Sequence, residues 1–304
     1  MKKLIFSAIL AIFAITAQAR ETVRIFYSFG AADSIANYGR NLTEIANRQQ
    51  DKYLFVFDVK PGAGGTIAAQ YIDQNPADTI LLGSAAFFVR PHTFPNESHN
   101  LDNFQQLKVL CTAPMAIASV KYATWDQIPR DKPLTIGVSG YGTTSHLDSL
   151  QIKKQYPQLE PVPYKSTTDT LNALQGGFLD FAVGFLSEFK PWQGRNATNA
   201  AAITVLGITG KHSVAGAPTL ASQGFKSLDQ MSNPQQLIIS KKISAEKREE
   251  WFNILNRAAQ STEVLNAYAV DDCVPNNMTS QQNLKFYEQQ RKLWRELSSQ
   301  VKIN

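Results

Sequence analysis

Apolar and polar positions follow two different periods along this 304-residue chain. Runs of adjacent apolar residues, typical of buried strands, occur at 23–27, 53–59, 79–83 and 107–111. Stretches with helical spacing separate several of these runs, as at 35–46. This alternation of strand-like and helix-like segments predicts a parallel sheet covered by helices on both faces.

The pattern begins again in the second half of the chain. Strand-like runs lie at 134–138, 161–164, 181–183 and 203–208. Helical candidates lie between them, at 145–155 and 168–174. Two similar series in one chain predict two sheets, and hence two lobes.

Two segments are predicted to carry the chain between the lobes. Pro114 interrupts the apolar segment 107–120, so this segment is predicted to form two strands with a bend between them. The later apolar run 236–240 is predicted to return the chain to the first lobe. We place the first lobe at 20–115 and 231–304, and the second at 116–230. Helices are predicted at 245–259 and 281–297, and the second has a partial apolar stripe that favours core packing over a docking helix: Leu284, Tyr287, Trp294 and Leu297.

The first residues have the pattern of a secretory signal peptide. Two lysines precede an apolar segment at 4–15, and the small residues Ala17 and Ala19 frame a cleavage site. The apolar segment is too short for a membrane span, so we expect cleavage after Ala19 and export to the periplasm rather than an uncleaved anchor.

Composition narrows the choice of partners and of covalent links. The formal net charge is +5, and no run of basic residues is longer than the pair at 241–242. Both observations argue against a nucleic-acid partner. Cys111 and Cys273 are the two cysteines of the chain. In an oxidising compartment they form a candidate disulfide, with two buried free thiols as the alternative.

Two short glycine-rich loops carry the strongest functional signal. Their sequences are PGAGGT at 61–66 and SGYGTTSH at 139–146. Each follows a strand-like run and leads into a helix-like one, so each exposes backbone N–H groups where the helix dipole favours an anion. Two such loops facing each other across a cleft would suit a small molecule that carries carboxylates.

The second loop resembles two catalytic motifs without completing either. It has the glycine spacing of a phosphate-binding loop, but Thr143 stands where that motif needs lysine. Tyr141 stands at the last glycine position of a serine-hydrolase elbow, which disfavours a hydrolase that uses Ser139 or Ser145. The hydroxyls of Thr143, Thr144 and Ser145 are then candidate donors to an oxyanion, with a structural turn and helix cap as the alternative.

No catalytic or metal-binding set is evident among the histidines. His146 adjoins Ser145, but neighbouring residues on a helix point about 100° apart, so we expect His146 to be structural. No two of the four histidines stand at the spacing of metal ligands on a helix. We therefore expect no metal and no cofactor.

Other candidate residues follow predicted strands, where parallel sheets bind ligands. Tyr27 and Phe29 follow the first strand and are candidate walls of a pocket. Asp33, nearby, either caps the first helix or meets an amine of the ligand, and capping is the preferred alternative. Ser84 and Lys165 occupy equivalent positions after later strands, and Lys165 either pairs with a carboxylate or is simply solvated.

A series of short motifs runs in order through nearly the whole chain after the signal peptide. They are PGAGG at 61–65, LLGS at 81–84, KPLT at 132–135, SHL at 145–147, VPYK at 162–165, LQGG at 174–177 and PTL at 218–220. In order and spacing the chain resembles the periplasmic substrate-binding receptors of tripartite tricarboxylate transporters, also called Bug receptors.

The resemblance implies an α/β, two-lobe type II periplasmic-binding-protein fold, each lobe a mainly parallel sheet flanked by helices. It implies a monomeric receptor that is not an enzyme and closes on a tricarboxylate, a dicarboxylate, an acidic amino acid or an aromatic acid. Delivery to a two-subunit membrane permease is also implied. A ligand-sensing protein that reports to a membrane sensor kinase is the alternative with the same fold.

The resemblance also nominates ligand-binding residues. It implies Tyr27, Gly30, Gly64 and Ser84 on the first lobe, and Thr143, Thr144, Ser145 and Lys165 on the second. With the residues chosen above, the candidate set also contains Phe29, Asp33, Ala85 and Phe185. Three positions depart from the family pattern: Phe29 replaces a glycine and should narrow the pocket, Ser166 replaces another glycine, and Gly184 replaces an acidic residue and removes a polar contact.

Overall fold

The computed structural model of the chain describes residues 19–194, 202–214 and 216–300. The predicted signal peptide, apart from Ala19, lies outside these residues. Helices flank two β-sheets, one of six strands and one of five, so the fold is α/β. We call the six-stranded sheet with its helices the first lobe, and the five-stranded sheet with its helices the second lobe.

The strands of the described residues alternate with helices for most of the chain. In chain order they are β1 (Glu21–Tyr27), β2 (Tyr53–Val59), β3 (Thr79–Gly83), β4 (Phe104–Ala113), β5 (Met115–Ser119), β6 (Leu134–Val138), β7 (Leu159–Pro163), β8 (Phe181–Phe185), β9 (Thr204–Ile208), β10 (Asn233–Ser240) and β11 (Val274–Pro275).

Parallel strands form one side of each sheet. The strand order is β11-β4-β10-β3-β1-β2 in the first lobe and β7-β6-β8-β5-β9 in the second. Strands β1, β2 and β3 are parallel, as are β6, β7 and β8, and the remaining pairs are antiparallel. The predicted parallel arrangement therefore holds for three strands of each sheet, while each whole sheet is mixed.

The chain changes sheets at the bend predicted from Pro114. This residue separates β4 of the first lobe from β5 of the second, because a proline has no N–H with which to continue the ladder. The chain returns between β9 and β10, and β10 is inserted between β3 and β4. Two connections therefore join the lobes.

The helices cover the sheets. They are α1 (Ser34–Gln49), α2 (Thr66–Gln74), α3 (Ala86–Thr93), α4 (Thr144–Lys153), α5 (Thr167–Gln175), α6 (Leu186–Phe189), α7 (Ala245–Ala259), α8 (Thr262–Val270) and α9 (Ser280–Ser299). Helix α9 packs on α3 and β4 and buries Tyr287, Trp294 and Leu297, so its apolar stripe belongs to the core. No helix within the described ranges is both long enough and apolar enough to cross a membrane.

A disulfide links Cys111 on β4 to Cys273, the residue before β11. The bridge spans 162 positions of sequence, and both half-cystines are buried. In the chain-entropy account a closed loop of this length stabilises the folded state by up to about 5 kcal/mol. The bridge therefore ties the segment between α8 and β11 to the first sheet.

Candidate ligand-binding site between the lobes

The loops that follow the parallel strands of both sheets meet in a cleft between the lobes. A Cβ atom built on Gly64 would lie 3.5 Å from Cγ2 of Thr143 on the opposite lobe. One built on Gly30 would lie 3.0 Å from Cβ of Ser166. The two glycine loops singled out in the sequence therefore face each other at the carboxyl ends of the strands.

The first glycine loop turns sharply from β2 into α2. Gly64 and Gly65 both have positive φ angles, +60° and +97°, which residues with a Cβ rarely adopt. Gly65 donates its N–H to the carbonyl of Gly62 at 3.0 Å. The amino end of α2 is thereby placed beside the cleft.

The second glycine loop approaches the first lobe closely at Gly142. A Cβ atom on Gly142, whose φ is +72°, would lie 2.6 Å from both Oγ1 of Thr93 and Cδ2 of Phe94. Only glycine fits this contact with the end of α3. The contact fixes how the loop meets the opposite lobe.

The hydroxyl groups of the second loop bond mainly to one another. Oγ of Ser145 accepts the N–H of Ser139 at 2.9 Å and lies 3.0 Å from Oγ1 of Thr143. Thr143 in turn donates to the carbonyl of Gly140 at 2.7 Å. Ser145 is fully buried and Thr143 caps α4, so these two hydroxyls form the structural turn and helix cap that was the alternative to oxyanion binding.

His146 supports the same loop. Its Nδ1 accepts the N–H of Gly142 at 3.1 Å. Burial, with a smaller contribution from the charge of Arg90, lowers the pKa of His146 to about 4. The ring is therefore neutral at pH 7 and acts as a structural acceptor.

The cleft contains two chambers that share Phe29 and Ser139 in their walls. The outer chamber has a volume of about 740 Å³, within the range of pockets for small metabolites. The inner chamber has a volume of about 10 Å³, which is close to the space that one water needs. Phe29 stands between the chambers, where the bulk of its ring narrows the cleft.

The candidate residues divide between these chambers and the structure behind them. Those that line the inner chamber are Tyr27, Phe29, Asp33, Ser84, Thr143, Thr144 and Phe185. Those that line the outer chamber are Phe29, Gly30, Gly64 and Lys165. Two line neither chamber and are buried, namely Ala85 and Ser145.

Asp33 does not use its side chain as a helix cap, although it occupies the N-cap position of α1. Its carboxylate accepts hydrogen bonds from the Tyr27 hydroxyl and from Oγ1 of Thr168, both at 3.2 Å. The preferred capping prediction was wrong because Thr168, on the other lobe, competes for this acid. Burial raises the pKa of Asp33, and these hydrogen bonds oppose the rise.

A second acid, the half-buried Glu188, lies beside Asp33 where the two lobes meet. It lies on α6 of the second lobe, where its Oε2 is 3.2 Å from the same Oγ1 of Thr168 and its Oε1 accepts the N–H of Ser34 at 3.4 Å. Burial, and then the charge of Asp33, raise the pKa of Glu188 to about 8. Sequence reasoning missed this residue, whose signal was an acid among the apolar positions after β8.

The outer chamber is lined by aromatic rings and three charged side chains. Tyr141 and Tyr164 contribute rings from the second lobe. Arg90 is buried on the first lobe, whereas Lys165 and Asp169 are exposed on the second. Sequence reasoning missed Arg90, although a single arginine at the end of the apolar run 85–89 was a usable signal.

Direct contacts hold the two lobes together around the chambers. Nη1 of Arg90 donates to the carbonyl of Tyr141 at 2.6 Å. Nζ of Lys190 lies 2.8 Å from the Asp272 carboxylate, a pair that also links the second lobe to the first. The chain is therefore in a closed arrangement, with both glycine loops in contact with the opposite lobe.

No metal site is formed by the residues from 19 to 300 that the structure describes. No three histidine, cysteine, aspartate or glutamate side chains among them come together as ligands of an ion. The site offers hydrogen-bond donors, carboxylates, one buried cation and aromatic surface.

Comparison with known proteins places this architecture in a family. The model of the tripartite tricarboxylate transporter family receptor matches residues 40–303. The chain belongs to this family. Its members are binding proteins rather than enzymes. A relative from Bordetella pertussis, a protein of the UPF0065 group, is 31% identical over 140 residues, a segment that covers 42% of this chain and 43% of that protein.

Solved structures show the same fold across the receptor. The periplasmic binding protein BugD superposes with a TM-score of 0.81 at 19% identity, covering 92% of this chain and 97% of its own. Rpa4515 of R. palustris, solved with adipate, gives 0.78 at 19%, covering 93% and 98%. MatC of Rhodopseudomonas palustris, solved with malate, gives 0.74 at 17%, covering 91% and 99%. The two-lobe periplasmic-binding-protein fold is therefore confirmed.

Two of the positions that are expected to depart from the family pattern, Gly184 and Ser166, make close contacts with neighbouring residues. A Cβ atom on Gly184 would lie 2.0 Å from Cγ2 of Thr167, so the methyl group of Thr167 fills the space of any side chain there. Ser166 caps α5 by accepting the N–H of Asp169 at 3.1 Å. Ser166 lines the outer chamber and Thr167 lines the inner chamber, so both contribute to the second-lobe wall of the cleft.

Proposed function

We propose that this receptor captures a small carboxylate between its lobes outside the cytoplasm and delivers it to a two-subunit membrane permease. The observation that carries the proposal is the meeting of the two glycine loops, with Gly64 opposite Thr143 across the cleft. Family membership supports delivery to a permease. The relatives solved with adipate and malate support an organic acid as ligand.

The mechanism is closure without chemistry. Ligand binding adds contacts that only the closed arrangement can make, so it shifts the population of the receptor towards that form. The permease would then recognise the closed pair of lobes. The receptor works as a monomer and needs no cofactor in this mechanism.

The proposed lobes are 20–115 with 231–304 and 116–230, and they rotate about the connections near Pro114 and residue 231. Cleavage after Ala19 would release the receptor into the periplasm. The ligand contacts are proposed on the candidate residues that line the chambers, which are Tyr27, Phe29, Gly30, Asp33, Gly64, Ser84, Thr143, Thr144, Lys165 and Phe185. Ala85 and Ser145 support these contacts from behind.

A thermal-shift screen of organic acids tests the proposal. An acid at 100 times its Kd should stabilise the receptor by about 2.7 kcal/mol, and the primary amide of the same acid serves as the matched neutral control. Calorimetry then measures the Kd of each hit. A panel of mono-, di- and tricarboxylates that neither shifts Tm nor releases heat contradicts the proposal.

Delivery is tested separately, in a strain that lacks the receptor. Loss of uptake of the acid found in the screen, restored by the wild-type chain, is the expected result. Unchanged uptake together with loss of an acid-dependent response would instead identify a sensing protein.

A further inference from the structure

Arg90 presents a buried positive charge to the outer chamber. It lies in the last turn of α3, and its side chain is 9% exposed. Its Cδ would lie 3.4 Å from a Cβ atom built on Gly64, so it stands directly behind the first glycine loop. The guanidinium is thereby held at the level where the two lobes meet.

The donors of this guanidinium are incompletely used. A guanidinium has five N–H groups. One Nη1–H bonds to the carbonyl of Tyr141, Nη2 lies 3.7 Å from the Glu97 carboxylate, and the group stacks on the ring of Phe94 at 4.1 Å. Nε is buried with no hydrogen-bond partner in the described part of the chain.

The available counter-charge for Arg90 is weak. The Glu97 side chain is 74% exposed, so water screens its charge. A buried cation is costly unless a close anion with matching geometry satisfies it. A carboxylate in the outer chamber would supply that match, because carboxylate oxygens pair with a guanidinium in a two-pronged geometry.

The inner chamber is unsuited to the charged end of an acid. Its volume of about 10 Å³ has no room for a carboxylate while Phe29 is in place. Asp33 also lines the inner chamber, and negative charge on its carboxylate would repel an anion there. The anionic group is therefore directed outward.

The rest of the outer chamber favours an acid with an apolar body. Phe29, Tyr141 and Tyr164 line it, and its volume of about 740 Å³ is far more than a short hydroxy acid such as malate needs. Lys165 and Asp169 lie at the exposed side, where water screens both charges. A ligand that fills this space covers the aromatic surface.

We infer that Arg90 selects the ligand of this receptor: an organic acid lies in the outer chamber with a carboxylate on the Arg90 guanidinium and its apolar body along Phe29 and the two tyrosines. The inference rests on the proposed function and names the ligand class and the residue that reads it. Arg90 also donates to the Tyr141 carbonyl, which is one of several contacts between the lobes.

Calorimetry on the whole receptor tests the inference with adipate and phenylacetate, each beside its primary amide. Wild-type receptor should bind at least one of these acids about tenfold or more tightly than its amide, as expected for a charge-assisted hydrogen bond. Arg90→Gln should weaken binding of the acid by about tenfold or more and change amide binding by less than about threefold. Arg257→Gln, on α7 away from both chambers, is the charge-matched control and should change neither.

The acid-to-amide ratio separates recognition from a structural role. An Arg90→Gln variant that keeps the wild-type ratio of acid to amide affinity, even if both ligands bind more weakly, overturns the inference and leaves the proposed function intact. Should that variant fail to fold, Arg90→Lys replaces it, with a reduced ratio expected and an unchanged ratio overturning the inference. The inference is also overturned if the wild-type receptor binds only short hydroxy acids. If it binds no organic acid at all, the proposed function is overturned as well.

Discussion

At the scale of single residues, the contact between Gly184 and Thr167 is tight enough to test directly. Gly184→Ala should lower the free energy of unfolding by about 1–3 kcal/mol, because its Cβ would fall 2.0 Å from the Thr167 methyl group. Urea denaturation measures the loss. Adding Thr167→Ser, which removes that methyl group, should restore most of the stability. An alanine variant as stable as wild type would show that β8 and α5 separate easily.

Lys108 predicts a specific dependence of stability on pH. Its side chain is buried on β4, and burial lowers its pKa from 10.5 to about 8. The unfolded chain therefore binds more protons than the folded chain between these values, so this residue makes stability rise with pH across that window. Lys108→Met should flatten the rise in urea denaturation, whereas Lys241→Met, at an exposed position, should not. Equal slopes for all three proteins would contradict the prediction.

The sequence predicted where the residues of the site lie better than it predicted what their side chains do. Strand ends and glycine spacing placed Phe29, Gly64 and Thr143 at the cleft, because those features are local. The partners of Asp33 and Ser145 depend on side chains that only the folded lobes bring near, so the roles assigned from sequence differ from those in the structure. Arg90 was missed for the same reason, since the carbonyl that accepts its hydrogen bond belongs to Tyr141 of the other lobe.

At the scale of elements, Asn283 ties α9 to the edge of the first sheet. Its Oδ1 accepts the N–H of Val109 at 2.7 Å, and its Nδ2 donates to the carbonyl of Thr279 at 2.9 Å. Asn283→Ala should lower the free energy of unfolding by about 1–3 kcal/mol, because a buried strand N–H would lose its acceptor. Gln281→Ala, at an exposed position of the same helix, is the control in urea denaturation. Equal stability of both variants would contradict the prediction.

Most elements were predictable because apolar runs and helical stripes are continuous in sequence. Helix α3 was not, since Pro91 lies inside it and it begins almost directly after β3. Strand direction was only partly predictable. An apolar run such as 236–240 indicates a buried strand, but its antiparallel pairing in β10 follows from where the chain returns between lobes.

At the scale of the whole molecule, Asp33 and Glu188 place acids of opposite lobes next to each other. Glu188, with its pKa raised to about 8 from 4.5, is neutral at lower pH and supports the closed arrangement there. Its ionisation beside Asp33 as the pH rises through about 8 adds repulsion across the cleft, so the lobes should separate.

Small-angle scattering of the ligand-free receptor measures this opening. The radius of gyration should increase from below to above pH 8 in wild type and stay constant in Glu188→Gln, which is neutral at both. Thr168→Val removes a hydroxyl whose hydrogen bonds lower the pKa of both acids, so this variant should open at higher pH than wild type. A radius that is independent of pH in wild type would contradict the prediction.

The position of β10 has a consequence for the order in which the receptor assembles. In the export that we propose, with the N-terminus leading, β1 to β4 would emerge long before the strand that must lie between β3 and β4. All strands of the second sheet lie between residues 115 and 208, so that sheet can close while the first still presents two open edges. In the same proposed export, Cys111 would remain a free thiol until Cys273 has followed it across the membrane. The first lobe is begun first and finished last, and in that interval its exposed edges and its thiol are the points where a periplasmic chaperone or thiol oxidase would act.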